Sequence, residues 1–142
     1  MVALGRSAWL PCHEGSASGA REMLKALLAE LGANELDWYE VELVVSELVA
    51  NAVIHGSANL DGLIFVRFEG SVEQVRIEVH DSSRVLPRVQ PVSLDDEGGR
   101  GLWLVDQLAS TWGHDCSDVG LSKRVWAVVR PDRCGLGPRS HR

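Results

Sequence analysis

Residues 74–80 constrain the fold most, because apolar and polar side chains alternate at every position. A period of two predicts a strand that turns one face to the core and the other to solvent. Another β-rich run, 63–69, lies before it, and Gly70 and Ser71 separate the two. The runs 63–69 and 72–80 therefore predict an antiparallel hairpin. In the second run the core face holds Val75, Ile77 and Val79, and the solvent face holds Gln74, Arg76, Glu78 and His80.

Helical periodicity marks three other segments. From residue 16 to residue 31 the apolar side chains recur every three or four positions, and Gly32 supplies a stop. The same period extends over residues 35–55, where Gly56 follows as the expected left-handed cap. A third helix is predicted over residues 102–112.

The chain ends in a strand predicted over residues 123–129, which we expect to pair with a short strand near residues 114–117. A length of 142 residues suits one compact domain. We therefore expect a single α/β domain over residues 1–130. Residues 131–142 are rich in proline, glycine and arginine and predict a mobile tail.

The composition and net charge of the chain disfavour several classes of function. The formal net charge is -6 and the isoelectric point is near 5.3, which disfavours binding to nucleic acids and to anionic membrane surfaces. No stretch approaches the run of about 18 apolar residues that a membrane span needs. We therefore expect a cytoplasmic protein with Cys12, Cys116 and Cys134 as free thiols.

Polar residues line one face of the second predicted helix. Glu47, Asn51 and His55 are spaced by four, so successive members lie about 40° apart around the axis and flank the apolar stripe. A carboxylate beside a carboxamide could supply a general base and an oxygen ligand for Mg²⁺. The alternative is the solvated edge of an amphipathic helix, and His55 in the last turn is favoured by the helix dipole alone.

Asp81 stands where the core-facing residues of its strand would continue. It has the parity of Val75, Ile77 and Val79, so its carboxylate should point inward at the strand end. Such an acid could accept a hydrogen bond from the exocyclic amino group of adenine. The alternative is an Asx turn that closes the strand.

A glycine cluster leads directly into the third predicted helix, at residues 97–102. Glycines allow backbone N–H groups to approach a ligand closely, and a helix N-terminus carries a partial positive charge, which together suit phosphate. The alternative is a flexible hinge. The preceding residues 82–99 contain prolines, an acidic cluster and glycines, a length and composition typical of a functional loop.

Taken in order, these residues resemble the GHKL, or histidine kinase-like, ATPase superfamily. Residues 47–56 resemble its N box, residues 81–87 its adenine-binding motif, and residues 99–105 its glycine-rich lid hinge. The closest resemblance is to the small bacterial branch of anti-sigma-factor serine/threonine kinases, and it extends over residues 8–129. Each motif alone is loose, but the ordered set is specific.

The resemblance implies a two-layer α/β sandwich of the Bergerat type, with a mixed, mostly antiparallel sheet and helices on one face. ATP and Mg²⁺ would lie between the sheet and the second helix. Asp81 would receive the adenine amino group, Asn51 would hold Mg²⁺, and Glu47 would act as the general base. The other cofactor-binding residues implied by the motifs are His55, Ser83, Gly99, Arg100, Gly101 and Leu102.

The resemblance implies a protein serine/threonine kinase that phosphorylates an anti-anti-sigma-type (STAS-like) partner and sequesters a sigma factor, and a homodimer is compatible with it. An alternative is an ATP-binding module that switches a protein interface without phosphoryl transfer. Its support is Arg84 and Arg124, which stand where the branch usually has proline and threonine. A third hypothesis is an interaction scaffold with a vestigial pocket.

Overall fold

The computed structural model describes residues 3–33, 38–56, 62–84, 86, 87, 89 and 100–130. They form one five-stranded sheet of order β1-β2-β3-β5-β4, in which all four pairings are antiparallel. Three helices pack on one face, so the predicted two-layer α/β sandwich is confirmed. The elements are β1 (Leu4–Pro11), α1 (Ser16–Leu31), α2 (Tyr39–Gly56), β2 (Leu63–Gly70), β3 (Val75–Asp81), α3 (Arg100–Leu108), β4 (Thr111–Cys116) and β5 (Lys123–Val129).

The core lies between the helices and the inner face of the sheet, and it forms a single cluster of buried side chains. Alternation along the central strands supplies its floor, because every second residue of each strand points toward the helices. The helices supply the roof with stripes at spacings of three and four. Its largest fully buried members include Leu24, Leu27, Trp38, Val41, Val44, Leu48, Ile64, Phe68 and Ile77.

The boundaries of α1 and β5 are confirmed at both ends. Gly32 ends α1 in the left-handed conformation at φ 71°, and its N–H donates to the Ala29 carbonyl. The second helix begins at Tyr39 among the described residues and includes Gly56, which the sequence pattern placed just after it. Its predicted start at residue 35 lies outside the described residues.

The prediction that the third helix reaches Trp112 is wrong. The helix ends at Leu108, and β4 begins at Thr111, because Ser110 already donates its N–H to the Val128 carbonyl of β5. Trp112 therefore lies on a strand. Its indole Nε1 still donates to Asp106 at 2.9 Å and so joins β4 to the helix before it. An apolar residue at helical spacing had extended the predicted helix by one turn.

The hairpin exists, but its turn is longer than predicted. Gly70 ends β2 and β3 begins only at Val75, so residues 71–74 form the turn. The Ser71 N–H donates to the Gln74 carbonyl, and the Ser71 hydroxyl accepts from the Glu73 N–H. The sequence pattern also failed to reveal β1, an edge strand in which one face is only half-buried, so its apolar alternation is weak.

Most of the loop over residues 82–99 and the tail over residues 131–142 lie outside the described residues, and Cys134 lies with the tail. Cys12 and Cys116 are free thiols, as predicted. None of the helices in the described ranges combines the length and apolarity that a bilayer crossing requires.

Substitution by alanine should have opposite effects on stability at Gly19, within α1, and at Gly32, its C-cap. Gly19 lies on the exposed side of the helix with open space where a methyl group would stand, so Gly19→Ala should stabilise the fold by roughly 0.5–1 kcal/mol. Gly32→Ala places a side chain at φ 71° and should destabilise it by roughly 1 kcal/mol. Urea unfolding of both variants measures the difference, and shifts of equal sign would contradict the assigned cap.

Candidate functional site

Asp81 ends β3 with its carboxylate on the inner side of the sheet, and it is only 1% exposed. Its Oδ1 accepts from the Lys123 ammonium at 2.9 Å and from the Ser83 N–H at 2.8 Å. The second contact is an Asx turn, so that alternative is confirmed for one oxygen. The other oxygen, Oδ2, is buried and has no hydrogen-bond partner within the described part of the chain.

Lys123 is the residue that sequence reasoning missed. It pairs directly with Asp81 across the β3–β5 ladder, and only 4% of it is exposed. The inward parity of Val125 and Ala127 in the same strand was a signal that could have placed it. A buried ammonium is costly without a partner, so the pair with Asp81 holds both side chains in place.

The end of α2 lies beside this ion pair. His55 is half-buried, and its Nδ1 is buried without a hydrogen-bond partner among the residues described. Burial lowers the pKa of His55, the positive charge of Lys123 lowers it further, and Asp81 partly offsets both. These electrostatic effects place His55 within reach of both charges.

A thiol also lies near this carboxylate. Cys12, just after β1, donates from Sγ to the Val53 carbonyl of α2 at 3.8 Å. Burial raises the pKa of Cys12, and the negative charge of Asp81 raises it further. The structure therefore brings together two predicted site residues, Asp81 and His55, with two that were not predicted, Lys123 and Cys12.

The other predicted site residues are placed as follows. Glu47 and Asn51 lie one turn apart on α2, and both are half-buried, so neither is a fully solvated edge residue. Ser83 contributes its backbone N–H to Asp81. Leu102 packs into the core at 6% exposure.

The glycine cluster is described only in part. Arg100 and Gly101 form the first residues of α3, so the helix begins two residues before its predicted start and includes the end of the cluster. Gly99 lies outside the described residues. Its predicted role in binding phosphate stays a prediction, as do those of Arg100 and Gly101.

Arg124 does not lie near Asp81. It alternates with Lys123 and Val125 along β5 and therefore points to the outer face of the sheet, away from the helices. There its Nη2 donates to the Asp115 carboxylate at 3.0 Å. This hydrogen bond lowers the pKa of Asp115 and raises that of Arg124. Arg124, which stands where the branch usually has threonine, thus lies on the face opposite to Asp81, and Lys123 lies on the Asp81 side. Arg84 is described and exposed.

On the outer face, the prediction that Glu78 and His80 are exposed to solvent is wrong. Both are buried, at 6% and 0% exposure. The Glu78 carboxylate accepts from Arg67 at 2.9 Å and from Arg76 at 3.0 Å, and it accepts from His80 Nε2 at 3.1 Å. Arg67 comes from the neighbouring strand β2, while Arg76 and His80 flank Glu78 on β3 itself, and strand parity alone does not reveal that these groups pair with one another.

Glu78, His80 and Asp118 also present a set of potential metal-ligand atoms within 4.8 Å of one another. Each oxygen of the Glu78 carboxylate already accepts from a guanidinium, and Arg67 lies 3.6 Å from Asp118 as well. The surrounding positive charge opposes a cation. The arrangement is that of an ion-pair network.

The protonation states in this network follow from its contacts. Burial alone would raise the pKa of Glu78, but the hydrogen bonds from His80 and Arg76 outweigh it, and the net pKa is lowered. Burial lowers the pKa of His80, and its contact with Glu78 offsets this only in part. A neutral His80 that donates from Nε2 to the carboxylate can accept at Nδ1 from the Ser117 hydroxyl, 2.9 Å away.

Comparison with known proteins relates the chain to one family. A family model described as histidine kinase-like ATPase domain matches residues 10–123. No curated protein matches the chain. Among solved structures, 12 chains match, and one of them contains the RsbU and RsbW domains of Rv1364c from Mycobacterium tuberculosis, at 26% identity and a TM-score of 0.61. That match covers 90% of this chain and 33% of the other, so this chain spans about a third of it.

Acid should destabilise the fold through His80 and Glu78. Both pKa values are lowered on folding, so the unfolded state binds more protons, and the free energy of unfolding should fall through His80 as pH drops below about 6.5 and through Glu78 only below about 4.5. The variant His80→Gln should show a shallower fall than the wild type. Denaturant unfolding between pH 7.5 and pH 5 measures the slopes. The exposed His114→Gln serves as the control, and equal slopes for all three proteins would contradict the assignment.

Proposed function

This chain belongs to the histidine kinase-like ATPase domain family, and on that premise we propose that it binds ATP with Mg²⁺ and transfers the γ-phosphate to a serine or threonine of a partner protein. The partner is an anti-anti-sigma-type protein, and a sigma factor is the second binding partner. The order of motifs along residues 47–105 and the likeness to a chain that contains an RsbW domain support this proposal.

The unpartnered Oδ2 of Asp81 is the observation that carries the proposal. A carboxylate oxygen can only accept, and a buried one without a donor is costly. The Oδ1 contacts with Lys123 and Ser83 fix the carboxylate, so Oδ2 remains for a ligand donor. The exocyclic amino group of adenine is such a donor, and a purine base also suits the apolar neighbourhood of the core.

The polar residues of α2 suit the phosphate end of the nucleotide and its Mg²⁺. The Asn51 amide oxygen is a ligand type that Mg²⁺ accepts, and a half-buried position still leaves room for the waters and phosphates that complete its coordination. Mg²⁺ bound there would neutralise phosphate charge. Arg100 and Gly101, the first residues of α3, would hold the phosphates with backbone N–H groups together with the preceding Gly99.

Glu47 would act in the transfer itself. It precedes Asn51 by one turn of α2, so both face the same side. The hydroxyl oxygen of the partner forms a bond to the γ-phosphorus while the bond from that phosphorus to the bridging oxygen of ADP breaks. The hydroxyl proton passes to the Glu47 carboxylate, and ADP leaves with the bonding electron pair.

The non-catalytic switch loses one of its two supports, because Arg124 lies on the outer face of the sheet. Arg84 is then the remaining departure near Asp81. Retention of a carboxylate at position 47 favours transfer. A kinase assay with separate readouts for binding and transfer distinguishes the two functions.

The variant Asp81→Asn should bind ATP roughly tenfold to a hundredfold more weakly. Lys123 and the Ser83 N–H hold an acceptor, so the amide oxygen should turn toward them and the amide NH₂ should replace Oδ2. A donor would then face the adenine amino group. Titration calorimetry with Mg²⁺-ATP measures the loss. Asp115→Asn, on the outer face, should leave the affinity unchanged, and equal affinity of a folded Asp81→Asn variant would refute the adenine contact.

The variant Glu47→Gln should transfer phosphate about 10² to 10⁴ times more slowly while its ATP affinity changes little, because the amide cannot accept the proton. Asn51→Ala should instead weaken Mg²⁺-ATP binding itself. Labelled ATP and the anti-anti-sigma-like proteins of the same genome measure transfer. Calorimetry measures binding.

Glu42→Gln is the matched control, since it lies five positions from Glu47 and about 140° away around α2. It should retain transfer. Full transfer by Glu47→Gln would remove Glu47 from the chemistry. If the wild type binds ATP and a partner tightly but transfers nothing, the switch is the correct function.

A further inference from the structure

In the function proposed above Lys123 only fixes the Asp81 carboxylate, yet its position is unusual. Lysine is almost never buried without a partner, and this one opens β5 at 4% exposure on the core side of the sheet. Its ammonium lies 2.9 Å from Asp81 Oδ1, the oxygen that also accepts from the Ser83 N–H. The pair is therefore a fixed polar unit at the end of an apolar core.

This ion pair can make further hydrogen bonds, both as a donor and as an acceptor. An ammonium carries three N–H groups, and the described residues provide Lys123 Nζ with one side-chain acceptor, Asp81. The Asp81 carboxylate likewise has one oxygen in use and one without a partner. The unit thus presents an acceptor next to a donor, both buried and both held by the cross-strand pairing of residues 81 and 123.

The Watson–Crick edge of adenine has the complementary order. Its amino group is a donor, and the adjacent ring nitrogen N1 is an acceptor. Guanine has the reverse order, with the acceptor O6 next to the donor N1–H. A guanine in the same place would oppose acceptor to acceptor and donor to donor, which leaves buried polar groups unpaired.

We propose that Lys123 donates a hydrogen bond to N1 of the bound adenine while Asp81 Oδ2 accepts from the amino group, so that the ion pair selects ATP over GTP. This inference rests on the proposed function, because it requires that the nucleotide binds with its base at Asp81. It assigns Lys123 as a specificity residue and gives a ligand role to a group that would otherwise serve only to neutralise Asp81.

The test separates N1 recognition from charge neutralisation. Calorimetry compares ATP with 1-deaza-ATP, which keeps the amino group but has a C–H in place of N1. The wild type should prefer ATP by roughly tenfold or more, the value of one hydrogen bond to a charged group. In Lys123→Met, which has a side chain of similar length without a donor, the preference should disappear, and discrimination against GTP should fall.

Lys25→Met is the matched control, because Lys25 lies on the solvent side of α1 with half of its side chain exposed. It should retain the wild-type preference. A purely structural ion pair would make Lys123→Met weaken ATP and 1-deaza-ATP equally, and this result would overturn the proposal. Equal binding of both nucleotides by the wild type would overturn it too, while ATP binding itself would stand. Failure of the wild type to bind any nucleotide would refute the proposed function instead.

A second measurement needs no substitution at position 123 and decides the matter if Lys123→Met does not fold. In the wild type with ATP bound, a nuclear Overhauser effect should connect adenine H2, the proton next to N1, with the ε-methylene protons of Lys123. Its absence in a saturated complex would overturn the proposal. Its presence would confirm that the ammonium lies at the N1 side of the base.

Discussion

The buried ion pair between Asp81 and Lys123 is the constraint on which the rest of the site depends. Burying two charges costs free energy, and the pair is retained only because each charge neutralises the other at 2.9 Å. The pair comes from two neighbouring strands of the sheet, whose ladder fixes its position. One carboxylate oxygen then has no partner among the described residues. The negative charge of Asp81 raises the pKa of Cys12 and partly offsets the lowering of the pKa of His55 at the end of α2.

The two faces of the sheet differ in polarity. The inner face is mostly apolar, and the charged residues that interrupt it among those described include Asp81, Lys123 and Arg6, whose guanidinium pairs with Glu30 of α1. The outer face has no described helix on it and is covered by its own side chains, with Arg76 over the Trp126 ring at 4.7 Å and guanidinium groups around Glu78. Charged groups there pair with one another within β3 and with the neighbouring strand.

Local sequence pattern predicts much of this structure. It fails where the partners of a side chain come from distant segments of the chain. The period of α1, the alternation of β5 and the inward parity of Asp81 follow from residues within a few positions of each other. The burial of Glu78 could not be predicted, because its guanidinium partners on β2 and β5 are close only after the strands pair. Lys123 differs from Glu78, because its inward parity with Val125 and Ala127 is a local signal, but a lysine at a strand end usually faces solvent.

The ion pair joins residues 42 positions apart, with α3 and β4 between them. Its formation closes a long loop, so the site can assemble only when β3 and β5 have paired, a late event compared with the closing of a local turn. The entropy of loop closure grows slowly with length, by about 0.6 kcal/mol for each doubling. Insertions in the connections on either side of α3 and β4 should therefore cost little free energy, while the spacing of donor and acceptor stays set by the ladder.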